Sequence, residues 1–511
     1  MHRLVNVESH EPPAIEKPGA KSDIVPIVVA IAVFTLLSLW GAITSSGFLE
    51  ADSCMHYLYA RYALAEPFYF VNVWGRPVCT GLYAVPAYLA GRLGVRITSL
   101  LVALGIALIA RQIAKGQKWQ WPVLALIFTL AQPLVFLHSF SELTELPFAL
   151  LLALGFWAYQ RKNFWAMALA IGLTPLSRPE GFGFLILAAI ALVMHRRWWW
   201  LVILSLPLLL WDYTGWRLYG QPGPWWHWLA ANWPYARQSL YNKGPLLHFM
   251  MLMPVVASPF IFPATVAGVW QCLTGRDSFL RAFFTDHHRR CEMLIALLPL
   301  LILVIHSLLY WRGKMASNGE VRYMLVVAPF WGLLSARGWE WAFQKLHWRR
   351  PLRWAALAAL LPITLNAFYP VLPLRSQPDW VEAQQIDRWY QSEHRKAYPW
   401  IATAHPGILY YLDVSPTNGS RVREWRKDIL EALPPGTILV WDPIYGIYNA
   451  DAARSITVEE LLKAGWKPLR TPWSNQKTAG KWKVFESAPI EVENDPHHLR
   501  DPAAFISSSR P

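Results

Sequence analysis

Charge is scarce in this chain. Asp, Glu, Lys and Arg supply 16% of its 511 residues, against about a quarter in soluble globular domains. That shortage excludes an ordinary soluble protein. Cysteine is scarcer still: Cys54, Cys79, Cys272 and Cys291 are the only four, and their spacing fits neither a zinc site nor a redox motif. No cleavable signal is recognisable. Residues 1–23 carry mixed charge, and the apolar run after them is of full spanning length with no small-residue cleavage site. The run is expected to remain as a signal anchor. No internal repeat stands out, which weighs against transporters built from repeated halves.

Acidic residues are outnumbered, 33 against 47 Lys and Arg, for a formal charge of +14. An excess of that kind can mark a nucleic-acid binder. Here the basic residues fall in short clusters between apolar runs, the pattern of cytoplasmic membrane loops, and no nucleic-acid partner is expected. What the chain has in abundance is apolar and interfacial: 54% hydrophobic residues, 30 Trp and 20 Tyr. These suit several crossings of about 30 Å of hydrocarbon with two aromatic belts.

The apolar runs are 24–43, 78–94, 97–113, 121–138, 147–160, 164–177, 182–194, 198–212, 248–271, 292–310, 321–336 and 354–370. Segment 78–94 is short and interrupted by Gly and Pro. If it does not cross, Arg111, Lys115, Lys118, Arg161, Lys162, Arg196, Arg197, Arg289, Arg290, Arg349 and Arg350 share the side of the N-terminus. The positive-inside rule therefore favours a re-entrant or interfacial 78–94 and about eleven spans. The outer face then holds loops 47–96, 139–146, 178–181, 213–247 and 311–320. The expected architecture is an all-α polytopic bundle over 24–370 with a first outer loop at 44–96. It follows a cytoplasmic tail at 1–23.

From about residue 371 the pattern changes. Segment 379–394 has Trp380, Ala383, Ile386 and Trp389 or Tyr390 at helical spacing. WIATA at 400–404 and TILVW at 437–441 read as buried strands, and 456–466 as a helix ended by Gly465. A small extracytoplasmic α/β domain over 371–490 is expected, with 491–511 a disordered tail.

The outer loops concentrate ionisable groups, which are costly at a membrane margin unless paired or functional. The first loop holds Glu50, Asp52, His56 and Arg76. A carboxylate there can take the proton of an attacking hydroxyl, or Asp52 can cap the helix that follows it. Arg76 and Arg322 suit phosphate oxygens, with interfacial snorkelling as the alternative. Glu145 can orient an acceptor or a metal, or simply favour the start of a helix at 147. A divalent cation held by Glu50, Asp52 and Glu145 is conceivable, but no cofactor is firmly implied. Cys54 and Cys79 flank the first loop and are candidates for a disulfide in an oxidising compartment. Asn418-Gly419-Ser420 is a glycosylation triplet by pattern alone.

Several ordered elements carry a resemblance: GFLEADSCMHYLYAR after the first span, WGRPVCTGLYAVPAYL, Thr144-Glu145-Leu146-Pro147, LSRPEGF, YNKGPLLHF and NGEVRYMLVVAPF. Together, over about 24–370, they resemble the GT-C superfamily of membrane glycosyltransferases. The likeness is to the branch of protein O-mannosyltransferases, bacterial aminoarabinose transferases and GPI and ALG mannosyltransferases. The resemblance implies a polyprenyl- or dolichyl-phosphate sugar donor and a glycan, lipid or protein acceptor, with inverting transfer at the outer face of a bacterial inner membrane. It implies Asp52 as base, with Glu50 its competitor because this chain reads Glu-Ala-Asp where many members have adjacent acids. It also implies substrate-binding roles for Glu145, Arg178, Glu180, Arg322 and Tyr323, joined by Arg76, Lys243 and His56. Rival readings are a flippase or transporter of lipid-linked sugars and an O-antigen-ligase-like transferase.

Overall fold

The computed structural model describes residues 24–45, 51–234, 243–274, 278–315, 317–346, 373–376, 378–417, 421–447, 454–471 and 482–487. Glu50, the 354–370 run, the glycosylation triplet and the two terminal tails lie outside them.

Most of the described chain is helical. Three helices are long and apolar enough to cross a membrane: Ile24–Thr44, Pro77–Gly116 and His287–Arg312. Against the expected count of about eleven spans, the described residues hold these three, or four if one bent helix pair is a single span, because several apolar runs break into shorter helices. Run 121–138 divides at Pro133 into Val123–Leu130 and Pro133–His138. Run 248–271 divides into His248–Ala257 and Phe262–Leu273, bent by 108°. The break falls at Ser258, with φ +73°. Ser258 precedes Pro259, and proline disfavours a helical residue before it.

Segments 78–94 and 97–113 fall in one helix, Pro77–Gly116, which breaks inside the first of them at Ala90 and Gly91 (φ +55°, ψ −140°). The break leaves carbonyls of the first half without helical partners, and Arg61 Nη1 donates to two of them, Ala87 O at 3.1 Å and Tyr88 O at 3.0 Å. A short apolar segment thus ends in a polar clamp. Elsewhere the bundle packs through small residues. A Cβ at Gly268 would lie 1.9 Å from Leu334 O, and one at Gly338 would lie 1.8 Å from Ala264 O. Phe262–Leu273 and Ala328–Lys345 therefore touch backbone to backbone. Large apolar side chains such as Val28, Leu36, Leu101, Ile186 and Val304 remain exposed on the outside of the bundle, a surface that a bilayer covers.

The C-terminal part is an α/β domain, as expected. Its five strands are β1 (Trp400–Thr403), β2 (Val422–Arg423), β3 (Thr437–Trp441), β4 (Lys467–Leu469) and β5 (Lys483–Glu486), in the order β2-β1-β3-β5-β4. β1 pairs parallel with β2 and β3, while β5 runs antiparallel to β3 and β4. β3 is buried along its whole length, as the unbroken apolar TILVW requires. Helix Pro378–Trp389 buries Trp380, Ala383 and Ile386, and Tyr390 follows them inward. Val458–Lys463 opens on a Thr457–Glu460 capping box and is followed by Gly465 at φ +85°.

This domain sits on helix Ala51–Tyr62. Cys54, Tyr57 and Leu58 share one core with Trp380, Ile386, Ile408 and Tyr410. Asp413 binds both Tyr57 (3.2 Å) and Arg61 (3.4 Å) across the contact.

Candidate active site

Helix Ala51–Tyr62 begins with a carboxylate in its first turn, where negative charge is favoured by the helix dipole. Asp52 lies inside that turn rather than before it. Its side chain goes to a distant guanidinium, with Arg322 Nη2 donating to Asp52 Oδ2 at 2.7 Å. The N-cap alternative is therefore replaced by a tertiary ion pair. Arg322 belongs to the 3-10 segment Val321–Val327. Its Nε also donates to the Glu320 carboxylate and lies 3.7 Å from Glu145 Oε1.

Glu145 opens helix Glu145–Gln160 and is wholly buried, with 0% exposure. Arg178 Nη1 donates to its Oε1 at 2.7 Å and to Thr144 Oγ1 at 3.2 Å. The rest of the Arg178 fork holds Glu180, at 3.0 Å from Nη2 and 3.2 Å from Nε. Asp52, Arg322, Glu145, Arg178 and Glu180 thus form one line of alternating charge. It gathers side chains from 52 to 322 in the sequence.

Burial alone would raise each of these carboxyl pKa values, but the guanidiniums more than offset it. Arg322, with Arg178, holds Asp52 below the usual carboxylate range. Arg178 and Arg322 do the same for Glu145. Arg178 and His306 hold Glu180 well below it. All three are ionised at neutral pH. His56 goes the other way: burial outweighs the pull of Asp52 and lowers its pKa to about 4. It is neutral at pH 7 and no cationic phosphate ligand.

Asp52 keeps 32% of its side chain exposed, and the space it faces is a cavity of about 1650 Å³. His56, Arg76, Arg178, Glu180, Arg322 and Tyr323 line it with Asp52. One wall is apolar, built from Phe184 and Leu187 of helix Gly181–Met194 and Leu301, Ile302, Ile305 and Leu309 of helix His287–Arg312. Asp379, Trp380, Thr417, Arg423 and Tyr445 of the α/β domain also line the cavity.

The structure thus brings together seven of the ten expected site residues around one space. Glu145 stands behind them, holding Arg178 and Arg322 without lining the cavity. Lys243 is not among the lining residues; it lies beside Gly313, past the end of His287–Arg312. Arg76 does line the cavity, and its Nη1 donates to Val73 O at 2.9 Å. The proposed Cys54–Cys79 disulfide is absent. All four cysteines are free and buried, and Cys79 Sγ lies 3.3 Å from Ser177 Oγ. Among the described residues no group of three His, Cys, Asp or Glu side chains could hold a metal. Glu145 and Asp52, two of the three carboxylates considered for that role, are engaged by guanidiniums.

Sequence reasoning gave the α/β domain a role in acceptor recognition by position, but missed which of its residues line the cavity, and missed His306. It also missed a buried pair behind the site, in which Glu142 accepts from Ser53 Oγ at 2.6 Å and from Arg96 Nε at 3.2 Å. His306 carried a usable signal, as the one histidine inside the apolar run 292–310. The α/β contacts span hundreds of residues and carried none.

No family model matches the chain, and no curated protein matches its sequence. Solved structures do resemble it. ArnT from Cupriavidus metallidurans in the apo state aligns with TM-score 0.58 at 13% identity, over 91% of this chain and 98% of that one. The same protein bound to undecaprenyl phosphate aligns with TM-score 0.55 at 14% identity and the same coverage. The likeness runs through the bundle and the C-terminal domain alike, and it establishes the GT-C fold for this chain.

Proposed function

We propose that the chain is a membrane glycosyltransferase that moves a sugar from a polyprenyl- or dolichyl-phosphate donor to an acceptor hydroxyl, with inversion and with Asp52 as general base. One observation carries the reading: a single cavity joins an apolar wall to a carboxylate held beside two guanidiniums. A prenyl chain suits the wall, a phosphate suits Arg178 and Arg322, and the sugar then lies against Asp52. The undecaprenyl phosphate bound by ArnT supports a donor of this class for the shared fold. A mannose-like sugar is the first candidate, by resemblance of the sequence elements. The expected setting is a bacterial inner membrane with the site at its outer face.

The chemistry asks little of the protein beyond position and charge. The acceptor oxygen attacks the anomeric carbon from the side opposite the phosphate, which inverts the centre. The carbon–oxygen bond to phosphate breaks, and its electron pair stays on phosphate. The acceptor proton passes to Asp52, which is ionised and ready to receive it. In the resting pair, however, Arg322 occupies one Asp52 oxygen. A phosphate that draws Arg322 to itself releases Asp52, so donor binding precedes proton transfer. The α/β domain, which lines the same cavity, would meet the acceptor.

Cells lacking the protein test the reading. They should accumulate one polyprenyl-phosphate-linked sugar in the outer leaflet. Accumulation confined to the inner leaflet would identify a flippase instead and overturn the assignment.

A further inference from the structure

Helix His287–Arg312 presents Leu301, Ile302, Ile305, His306 and Leu309 to the cavity. Four are apolar and one is an imidazole. A polar side chain on a long apolar helix is costly unless something pairs with it. His306 is buried and its ring stacks on Tyr323, with centroids 4.9 Å apart and planes inclined by 22°. Neither ring nitrogen has a hydrogen-bond partner. Nε2 lies 3.6 Å from Glu180 Oε1, too far for a hydrogen bond. The two nearby guanidiniums, of Arg178 and Arg322, are already committed to carboxylates. His306 therefore makes no hydrogen bond within the protein, with the Glu180 carboxylate beyond hydrogen-bond reach as its charged neighbour, and it lines the cavity beside Arg178 and Arg322.

We propose that His306 donates a hydrogen bond to the phosphate of the lipid-linked sugar, at the oxygen that gains charge as the sugar leaves. The inference rests on the lipid-phosphate reading of the same cavity. The donor phosphate is a diester with one negative charge, and the departing lipid phosphate is a monoester that can carry two. The acceptor oxygen bonds the anomeric carbon, the bond from that carbon to phosphate breaks, and the electron pair remains on phosphate. The acceptor proton goes to Asp52, and His306 moves none. A hydrogen bond that meets more charge late in the reaction than early favours the transition state over the bound donor. Tyr323 and Glu180 fix the ring.

Equilibrium binding to the purified full-length protein in detergent tests this with two probes, undecaprenyl phosphate and its methyl ester. His306→Phe keeps the ring and its stacking but removes both nitrogens. It should weaken monoester binding about tenfold or more while holding diester binding within about twofold, and His306→Gln, which retains an N–H, should recover part of the loss. Equal loss for both probes would make His306 a packing residue, and no loss would remove it from the site. Either result overturns the proposal. A wild-type protein that binds neither probe better than undecaprenol would overturn the lipid-phosphate reading itself, and the proposal with it.

Discussion

Glu145 is the carboxylate on which the two guanidiniums depend, so Glu145→Gln should disturb fold and site together. The side chain is wholly buried, 2.7 Å from Arg178 and 3.7 Å from Arg322. The substitution leaves two buried cations short of a counter-charge. Removing one partner of a buried pair typically costs about 3–5 kcal/mol. Part of that is recovered here, because Arg178 keeps Glu180 and Arg322 keeps Glu320 and Asp52. A loss of about 3 kcal/mol is therefore expected, enough to lower the melting temperature of a chain of this length by about 3 °C. Thermal unfolding of the purified protein in detergent reads it directly. The pH dependence has a defined sign. Burial raises the Glu145 pKa and the two arginines lower it further, so the folded value lies below the ordinary 4.5. Its stabilisation is complete above pH 4.5 and is lost as pH falls through the folded value. The Gln variant should lack that contribution and lose less stability between pH 5 and pH 3. A variant that melts like wild type across this range would refute the account of the charge line.

Arg322→Lys should raise the donor KM tenfold or more, since an ammonium cannot span Asp52 and a phosphate as a guanidinium fork does (about 1.5–3 kcal/mol for a charged hydrogen bond); steady-state kinetics would show it. Gly268→Ala and Gly338→Ala should each destabilise the bundle by about 1–3 kcal/mol or prevent its assembly, because the added methyl meets backbone oxygen; yield and melting temperature report this. Reductant should leave the melting temperature unchanged, and a thiol reagent should modify no cysteine in the folded protein, because all four thiols are free and buried. Lys115 is exposed, so Lys115→Cys should resist a membrane-impermeant thiol reagent in intact cells and react once they are opened; labelling from outside would reverse the topology.

Local features were legible in the sequence. The spacing of Trp380, Ala383 and Ile386, the unbroken TILVW and the helix pattern closed by Gly465 each encode their element within a few residues, and the structure carries all three. The charged loop residues were legible as a set, because polar groups beside long apolar runs need a reason to be there. Their pairing was not. The Asp52–Arg322 contact joins residues 270 positions apart, and nothing local to either one points to the other. Helix boundaries within the apolar runs were not legible for a related reason. Hydropathy reads the apolar content of 121–138 or 248–271 correctly, but proline and the backbone turn at Ser258 decide whether that content forms one helix. The two cysteines illustrate the limit most simply. They flank a loop in sequence, yet each packs into the core as a free thiol.

Transfer by Asp52→Asn is the most direct test of the central claim. The substitution keeps the side chain's size and removes the proton acceptor. The pair it disrupts is partly exposed and Arg322 retains two other carboxylates, so folding stability should change by no more than about 1 kcal/mol. With a polyprenyl-phosphate sugar and its acceptor in proteoliposomes, kcat should fall by about 10²- to 10⁴-fold, while undecaprenyl phosphate binding is retained or tightened. Turnover at the wild-type rate would contradict the assignment of Asp52 as the base.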